Sequence, residues 1–146
     1  MLKFGSSALD RPTYIASDSD LSNAMIRGDV KRGEARVLLQ IKGRGAPYDV
    51  ECVVDTGFTG ELALPSMLIS RLRLSWNGIG RSVLADGSVC RFDVFDAIIV
   101  WDGRNRAVTV DEAGPVPLVG MQLLNEHELR VQVRDGGKIS IKRLRR

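Results

Sequence analysis

The 146-residue sequence predicts a single all-β domain, a closed or nearly closed barrel that carries one or two short helices. The first observation is that apolar and polar residues alternate over several short segments, with the period of a half-buried strand. The second is that three Asp-Gly pairs, at 86–87, 102–103 and 135–136, separate such segments. Asp-Gly favours two-residue hairpin turns because both central positions take positive φ.

The first elements follow from local patterns. Residues 1–24 are rich in Ser, Asp, Gly and Pro without sustained periodicity, so we expect a flexible N-terminal leader before a domain over 25–146. A strand over 36–41 and a turn over 43–47 come next. The alternation continues over 48–54, which we predict as a strand. One face of that strand would carry Tyr48, Val50, Cys52 and Val54, and the other Asp49 and Glu51.

The remaining elements are one helix and several hairpins. Leu62-Ala63-Leu64 is a short apolar strand, and a helix over 65–72 follows because proline suits the first turn of a helix. We expect paired strands on either side of the three Asp-Gly turns. Their predicted ranges are 82–85 with 88–90, 97–101 with 107–110, and 129–133 with 139–141.

Composition and charge exclude several classes of function. Hydrophobic residues make up 44% of the chain and charged residues 27%, which excludes a disordered or fibrous protein. No apolar run has the length of a signal peptide or a membrane span, so we expect a cytoplasmic protein without a membrane partner. His127 is the single histidine and has no Cys or His at ligand spacing, so we expect no metal and no cofactor. Cys52 and Cys90 fall in apolar strand patterns and are predicted to be buried, reduced thiols.

The most informative motif is Asp55-Thr56-Gly57, which joins the predicted strand over 48–54 to Leu62-Ala63-Leu64. A hydrolase without a metal or a nucleophilic Ser or Cys needs strong acid–base catalysis to break a peptide bond. Two carboxylates about 3 Å apart share one proton, so one activates water while the other protonates the carbonyl oxygen. The chain holds the triplet once, so this chemistry needs two copies of the chain. The triplet alone fits an ordinary turn equally well, with Asp55 bonding its own backbone.

The surrounding residues resemble the active-site segment of retropepsin-like aspartic proteases, most closely the small bacterial members. The resemblance rests on Val53 to Gly60 followed by Leu62-Ala63-Leu64-Pro65. The segment 117–124 is similar to the apolar-apolar-Gly stretch and short helix behind the catalytic loop of that family. The hairpin over 84–88 stands where the family has its flap, and 25–28 looks like the start of the domain.

This resemblance implies a retropepsin-like acid protease barrel that acts as a homodimeric aspartic endopeptidase on a peptide or protein substrate. Asp55 of both chains would form the catalytic dyad, Thr56 would make the inter-subunit hydroxyl contact, and Gly57 would shape the loop. Asp86 and Gly87 would form the tip of the flap. Substrate contacts are expected from Val83, Leu84 and Val89, and structural support for the loop from Leu118, Val119 and Gly120. Phe58 departs from viral members, which usually carry a small residue there, and this predicts different packing.

Other interpretations stay open. A non-catalytic dimeric module of the same fold would use the same cleft to bind a peptide or protein. Basic residues crowd the C-terminus over 138–146, but a solvated tail carries similar charge and no aromatic residue is interleaved, so nucleic acid is not an expected partner. His127 is interpreted as a surface histidine at the end of a short helix. Trp76 and Trp101 are interpreted as core or interface anchors.

Overall fold

The computed structural model describes residues 2–4 and 24–145. The described strands are β1 Leu2–Phe4, β2 Met25–Lys31, β3 Glu34–Lys42, β4 Tyr48–Val54, β5 Leu62–Leu64, β6 Ser75–Val83, β7 Val89–Trp101, β8 Arg104–Glu112, β9 Leu118–Val119, β10 His127–Val131 and β11 Lys138–Arg143. The described helices are α1 Ser66–Leu72 and α2 Met121–Leu124. Neither of these two helices is long and apolar enough to cross a membrane.

Six strands close into a barrel. Its order is β3, β4, β9, β5, β8 and β7, and β7 closes the ring by pairing again with β3. Fully buried aliphatic side chains from several of these strands fill the interior, among them Ile41, Leu62, Ile99 and Val110. The predicted all-β barrel with one or two short helices is therefore confirmed.

Two additions extend from the barrel. A sheet formed by β2, β11 and β10 continues from the edge of β3. On another side, β6 pairs antiparallel with β7, and the two strands form a long hairpin. Residues 81–91, around the tip of this hairpin, are all exposed. The hairpin thus projects from the barrel without a core beneath its outer half.

The leader expected over 1–24 lies outside the described residues, apart from 2–4 and 24. Residues 2–4 form β1, which pairs antiparallel with β4 and places Leu2 opposite Val50. The expectation for the rest of this segment stays a prediction.

The elements around the triplet agree with their predicted periodicity. β4 has the predicted bounds, and Tyr48, Val50 and Cys52 are buried while Asp49 and Glu51 are half-buried. α1 begins at Ser66 rather than at Pro65, because Pro65 has the extended conformation of an N-cap (φ −69°, ψ 154°). The carbonyl oxygen of Pro65 accepts hydrogen bonds from the first turn of this helix.

The Asp-Gly turns are of more than one type. Asp102 and Gly103 have φ of 54° and 75°, as the two-residue turn requires. At the hairpin tip, only Gly87 has a positive φ (85°), and the Leu84 N–H donates to the Ser88 carbonyl across a longer loop. The prediction of a two-residue turn at 86–87 is therefore wrong.

The third predicted turn is also longer, because β10 ends at 131 and β11 begins at 138. Gly136 supplies the positive φ (74°) in this loop. A further two-residue turn joins β2 to β3 at Arg32 and Gly33, with φ of 51° and 76°. The sequence gives little signal for it, since arginine is rare in the left-handed conformation.

The two cysteines differ in their surroundings. Both are free thiols; Cys52 is buried and Cys90 is exposed. Burial raises the pKa of the Cys52 thiol to about 12. The prediction of burial is wrong for Cys90, because this residue lies on the projecting part of the hairpin.

His127 is not a surface histidine, because its side chain is only 3% exposed. It lies in β10, where its ring packs edge-on against the buried Trp101 with centroids 5.5 Å apart. Its Nε2 is 2.7 Å from Asp102 Oδ2, and its Nδ1 is 2.8 Å from the Asn125 carbonyl oxygen. The indole N–H of Trp101 also lies 3.3 Å from this Nε2, so the imidazole, the carboxyl of Asp102 and the indole form one cluster of hydrogen-bonding groups. Trp76, in contrast, is 60% exposed on the hairpin.

Replacing His127 with Ala is expected to lower the free energy of unfolding by about 1–3 kcal/mol, the usual effect of leaving a buried polar group without its hydrogen-bond partner. Oδ1 of Asp102 is already buried without a partner in the described structure, and this change would orphan Oδ2 as well. Urea unfolding measures the effect. The His127→Ala, Asp102→Asn double variant should recover part of the loss, since the amide carries no charge. A loss below about 1 kcal/mol would contradict this account.

Candidate active site

The Asp55-Thr56-Gly57 loop leaves the barrel between two strands that do not pair with each other. β4 leads into the loop and β5 leads out of it, while β9 is inserted between them. Val54 pairs in parallel with Val119, and Leu62 pairs antiparallel with the same residue. The loop is therefore held at both ends by one short strand from a distant part of the chain.

Asp55 is fixed by three hydrogen bonds. Its N–H donates to the Val119 carbonyl oxygen at 2.9 Å, and its own carbonyl oxygen accepts from Phe58 N–H at 3.1 Å. Its Oδ1 accepts from Gly57 N–H at 2.9 Å. The ordinary Asx turn is thus present, and it orients the carboxylate without using Oδ2 for any hydrogen bond to the described residues. The side chain is half-buried at the mouth of the loop.

The next two residues are exposed. A Cβ at Gly57 would lie 3.2 Å from Asp55 Oδ1, tighter than most such contacts, so glycine favours the close approach of the carboxylate to its N–H. The Thr56 hydroxyl makes no hydrogen bond within residues 24–145. The arrangement leaves this hydroxyl available to a second molecule.

The segment Leu118-Val119-Gly120 lies directly behind the loop. Gly120 N–H donates to the Glu61 carbonyl oxygen at 2.9 Å, and Met121 N–H donates to the Phe58 carbonyl oxygen at 2.8 Å. A Cβ at Gly120 would lie 2.1 Å from the Gly60 carbonyl oxygen. No side chain fits there, because the two backbones are in direct contact.

Phe58 shows how this loop accommodates a large residue after the triplet. Its ring lies over two glycines, since a Cβ at Gly60 or at Gly120 would each come within 2.6 Å of a ring carbon. Gly60 was not singled out in the sequence. The available signal was the spacing Phe58-Thr59-Gly60, in which a glycine follows closely after the unusual aromatic residue.

The predicted flap is the tip of the β6–β7 hairpin. Val83 pairs with Val89, and their side chains are 74% and 59% exposed; that of Leu84 is 50% exposed. Asp86 Oδ1 accepts hydrogen bonds from the N–H and hydroxyl of Ser88, which lower the pKa of the Asp86 carboxyl. Gly87 closes the turn.

A cleft of about 690 Å³ separates the Asp55 loop from the part of this hairpin that adjoins its tip. Its walls are Gly57, Phe58 and Thr59 from the loop, Arg81, Ser82, Cys90, Arg91, Phe92 and Asp93 from the hairpin, and Asp111, Glu112, Ala113 and Gly114 from β8 and the residues after it. Of the predicted site residues, the structure brings Gly57 into this lining, whereas Asp55 and Thr56, which precede it in the loop, are not part of it. The five predicted flap residues stand farther out, at the hairpin tip, and are not part of it.

Asp111 lines the cleft, and Glu61 lies near it. Glu61 Oε1 accepts from the N–H and hydroxyl of Thr109 at 3.0 and 3.2 Å, and Glu61 Oε2 lies 3.3 Å from an Arg106 nitrogen. Asp111 is half-buried, and burial together with the nearby Glu61 raises the pKa of its carboxyl. The described residues contain no group of three or more His, Cys, Asp or Glu side chains placed to hold a metal ion.

Another depression, of about 730 Å³, lies on the outer face of β2 and β3. Three of its charged side chains pair with one another, because Glu51 accepts hydrogen bonds from both Lys31 at 3.1 Å and Arg36 at 2.8 Å. The hydrogen bonds from Arg36 and Lys31 lower the pKa of the Glu51 carboxyl. This surface carries no part of the Asp55 loop.

Among solved structures, the chain is similar to a retropepsin-like aspartic protease from Rickettsia conorii. The match has 16% sequence identity and a TM-score of 0.50, and covers 80% of this chain and 89% of that one. No protein-family model matches the sequence, and no curated protein matches it. At this identity the likeness shows the fold alone, which is the fold that the sequence resemblance implies.

Proposed function

We propose that this protein is a homodimeric aspartic endopeptidase, in which the Asp55 carboxylates of two chains form the catalytic dyad. The observation that carries the proposal is the setting of Asp55. Its carboxylate is oriented by Gly57 N–H, partly exposed beside the cleft and held from behind by β9. The retropepsin-like fold supports the same conclusion.

The chemistry needs both chains. Two carboxylates about 3 Å apart hold one proton between them, because like charges at that distance disfavour double ionisation. The ionised member takes a proton from water, and the protonated member donates to the carbonyl oxygen of the peptide. Thr56 would hydrogen-bond across the two-fold axis and fix the distance between the carboxylates.

The hairpin serves as the flap in this proposal. Its tip carries three exposed aliphatic side chains, Val83, Leu84 and Val89, which gain from covering a bound peptide. Closure over the cleft would exclude bulk water around the dyad. Substrate contacts at the tip and along the cleft would then come from different parts of the same hairpin.

Activity that follows dimer formation is the test. Cleavage of a mixed peptide library is measured from acidic to neutral pH, with and without a statine-type inhibitor, over a dilution series whose assembly is followed by sedimentation. We expect inhibitor-sensitive cleavage, with a rate per chain that falls as the dimer dissociates. A constant rate per chain in a monomer contradicts the shared dyad. A stable dimer that binds peptides without cutting them supports the non-catalytic module instead.

A further inference from the structure

Asp111 is a carboxylate on the wall of the cleft, close to the Asp55 loop. It is the next-to-last residue of β8, opposite Ala63 on β5 and Val94 on β7. Its Oδ2 lies against Gly60, where a Cβ would come within 3.0 Å of that oxygen. The glycine that makes room for the Phe58 ring therefore also makes room for this carboxylate.

Two nearby carboxylates, Glu61 and Asp93, have partners, whereas Asp111 and the adjacent Glu112, which both line the cleft, have none among the residues that the structure describes. Of the two, Asp111 is the one whose carboxylate lies against Gly60 of the Asp55 loop. Glu61 is hydrogen-bonded to Thr109 and paired with Arg106. Asp93, across the cleft on β7, accepts a hydrogen bond from the indole of Trp76 at 3.1 Å. Asp111 is half-buried in the wall of the cleft and makes no hydrogen bond or ion pair with residues 24–145.

The free-energy cost of ionising Asp111 in this position indicates that its partner is a cation. A partly desolvated carboxylate beside a second carboxylate is destabilised in its charged form, which is why the pKa of Asp111 is raised. A cation that enters the cleft relieves both causes at once, since it replaces lost hydration and offsets the charge of Glu61. A neutral hydrogen-bond donor replaces only the lost hydration, and an anionic group relieves neither cause.

We propose that Asp111 is a specificity-determining residue that receives a lysine or arginine side chain of the peptide bound in the cleft. This proposal rests on the proposed function, which supplies the peptide that occupies the cleft. It adds that the cleft selects a basic side chain of that peptide.

Two arginines also line the cleft. They favour an acidic substrate side chain less strongly than Asp111 favours a basic one. Arg81 and Arg91 lie opposite each other on the hairpin, and both are exposed to solvent. A hydrated guanidinium gains little from an ion pair, whereas a half-buried carboxylate gains more. The competing outcome is that one of these arginines closes onto Asp111 when the hairpin moves, which would leave no place for a substrate cation.

Peptide binding tests the proposal without requiring cleavage. The protein carrying Asp55→Asn is titrated by fluorescence anisotropy with peptides that hold lysine at one position each, and with matched peptides that hold norleucine there. We expect one lysine position to bind about 10- to 100-fold more tightly than its norleucine counterpart, as hydrogen bonds to charged groups imply. Adding Asp111→Asn should abolish that preference.

Asp49→Asn provides the matched control, because Asp49 is a half-buried carboxylate on β4 outside the lining of the cleft. It should leave the preference unchanged. Asp111→Asn should not lower the free energy of unfolding at pH 7. A raised pKa in the folded state means that ionisation opposes folding above that pKa, and the amide removes this penalty.

The possible results separate this inference from the proposed function. Equal affinity for both peptide series, a preference that survives Asp111→Asn, or no binding at all overturns the lysine subsite. Cleavage of norleucine peptides by the unmodified protein without any lysine preference keeps the endopeptidase and removes the subsite. A lysine preference in a protein that cuts nothing keeps the subsite and removes the endopeptidase.

Discussion

Replacing Asp55 with Asn is expected to lower the rate of peptide cleavage by about a thousand-fold or more, because an amide neither takes a proton from water nor shares one with a second carboxylate. The fold should survive the change. The amide oxygen of asparagine can accept the hydrogen bond that Gly57 N–H now donates to Asp55 Oδ1. The measurements are cleavage of a peptide substrate and the oligomeric state by sedimentation. Cleavage at the original rate by this variant would falsify the proposed dyad.

Mixing the original protein with the Asp55→Asn variant adds a control that the variant alone does not provide. A dimer with one original chain and one Asp55→Asn chain holds a single Asp55 carboxylate, so it should be inactive. In an equal mixture that re-equilibrates, about half of the original chains have a variant partner, and activity per original chain should fall to about half. Activity that is unaffected by the variant means that each chain acts alone.

Gly120→Ala is expected to lower the free energy of unfolding by about 3 kcal/mol or more, at the upper end of overpacking effects. The backbone at Gly120 is extended (φ −102°, ψ 176°), a conformation that alanine adopts without strain. The whole effect would therefore come from the new methyl group, which would stand 2.1 Å from the Gly60 carbonyl oxygen. Chemical denaturation measures it, and any folded fraction should have lost cleavage, because the Asp55 loop must move.

Gly60→Ala is the matched comparison. Its methyl group would meet the Phe58 ring at 2.6 Å rather than a backbone atom, so trimming the ring with Phe58→Ala should restore much of its stability. The same trimming should not rescue Gly120→Ala, because the carbonyl oxygen of Gly60 stays in place. Equal rescue of both variants would contradict the backbone contact.

The sequence predicts best those elements in which one face is buried. β4 agrees with its predicted bounds because Val50 and Cys52 face a core while Glu51 faces outward. β7, by contrast, runs from Val89 to Trp101, where two separate short strands were expected. Its middle part alternates between apolar and polar residues only as far as Val94, and the alternation shifts by one residue at Phe95, so the sequence shows no single period over the whole strand.

In the candidate site, too, some residues could be predicted from the sequence and others could not. Asp55-Thr56-Gly57 is visible because its residues are adjacent in the chain. Asp111 is not visible, because only the parallel pairing of β5 with β8 brings it to Gly60. The contacts of Phe58 with Gly120 likewise join residues far apart in sequence. Local sequence patterns do not predict such long-range contacts.

The insertion of β9 between β4 and β5 also has a consequence for the order of events during synthesis. Val53 pairs with Leu118, about 65 positions later in the chain, so the loop has no rear support until that segment has left the ribosome. Contacts of this sequence separation form late and slow the folding of a domain. Under the proposed function, a nascent chain that already displays Asp55 is therefore expected to be inactive until β9 has been synthesised.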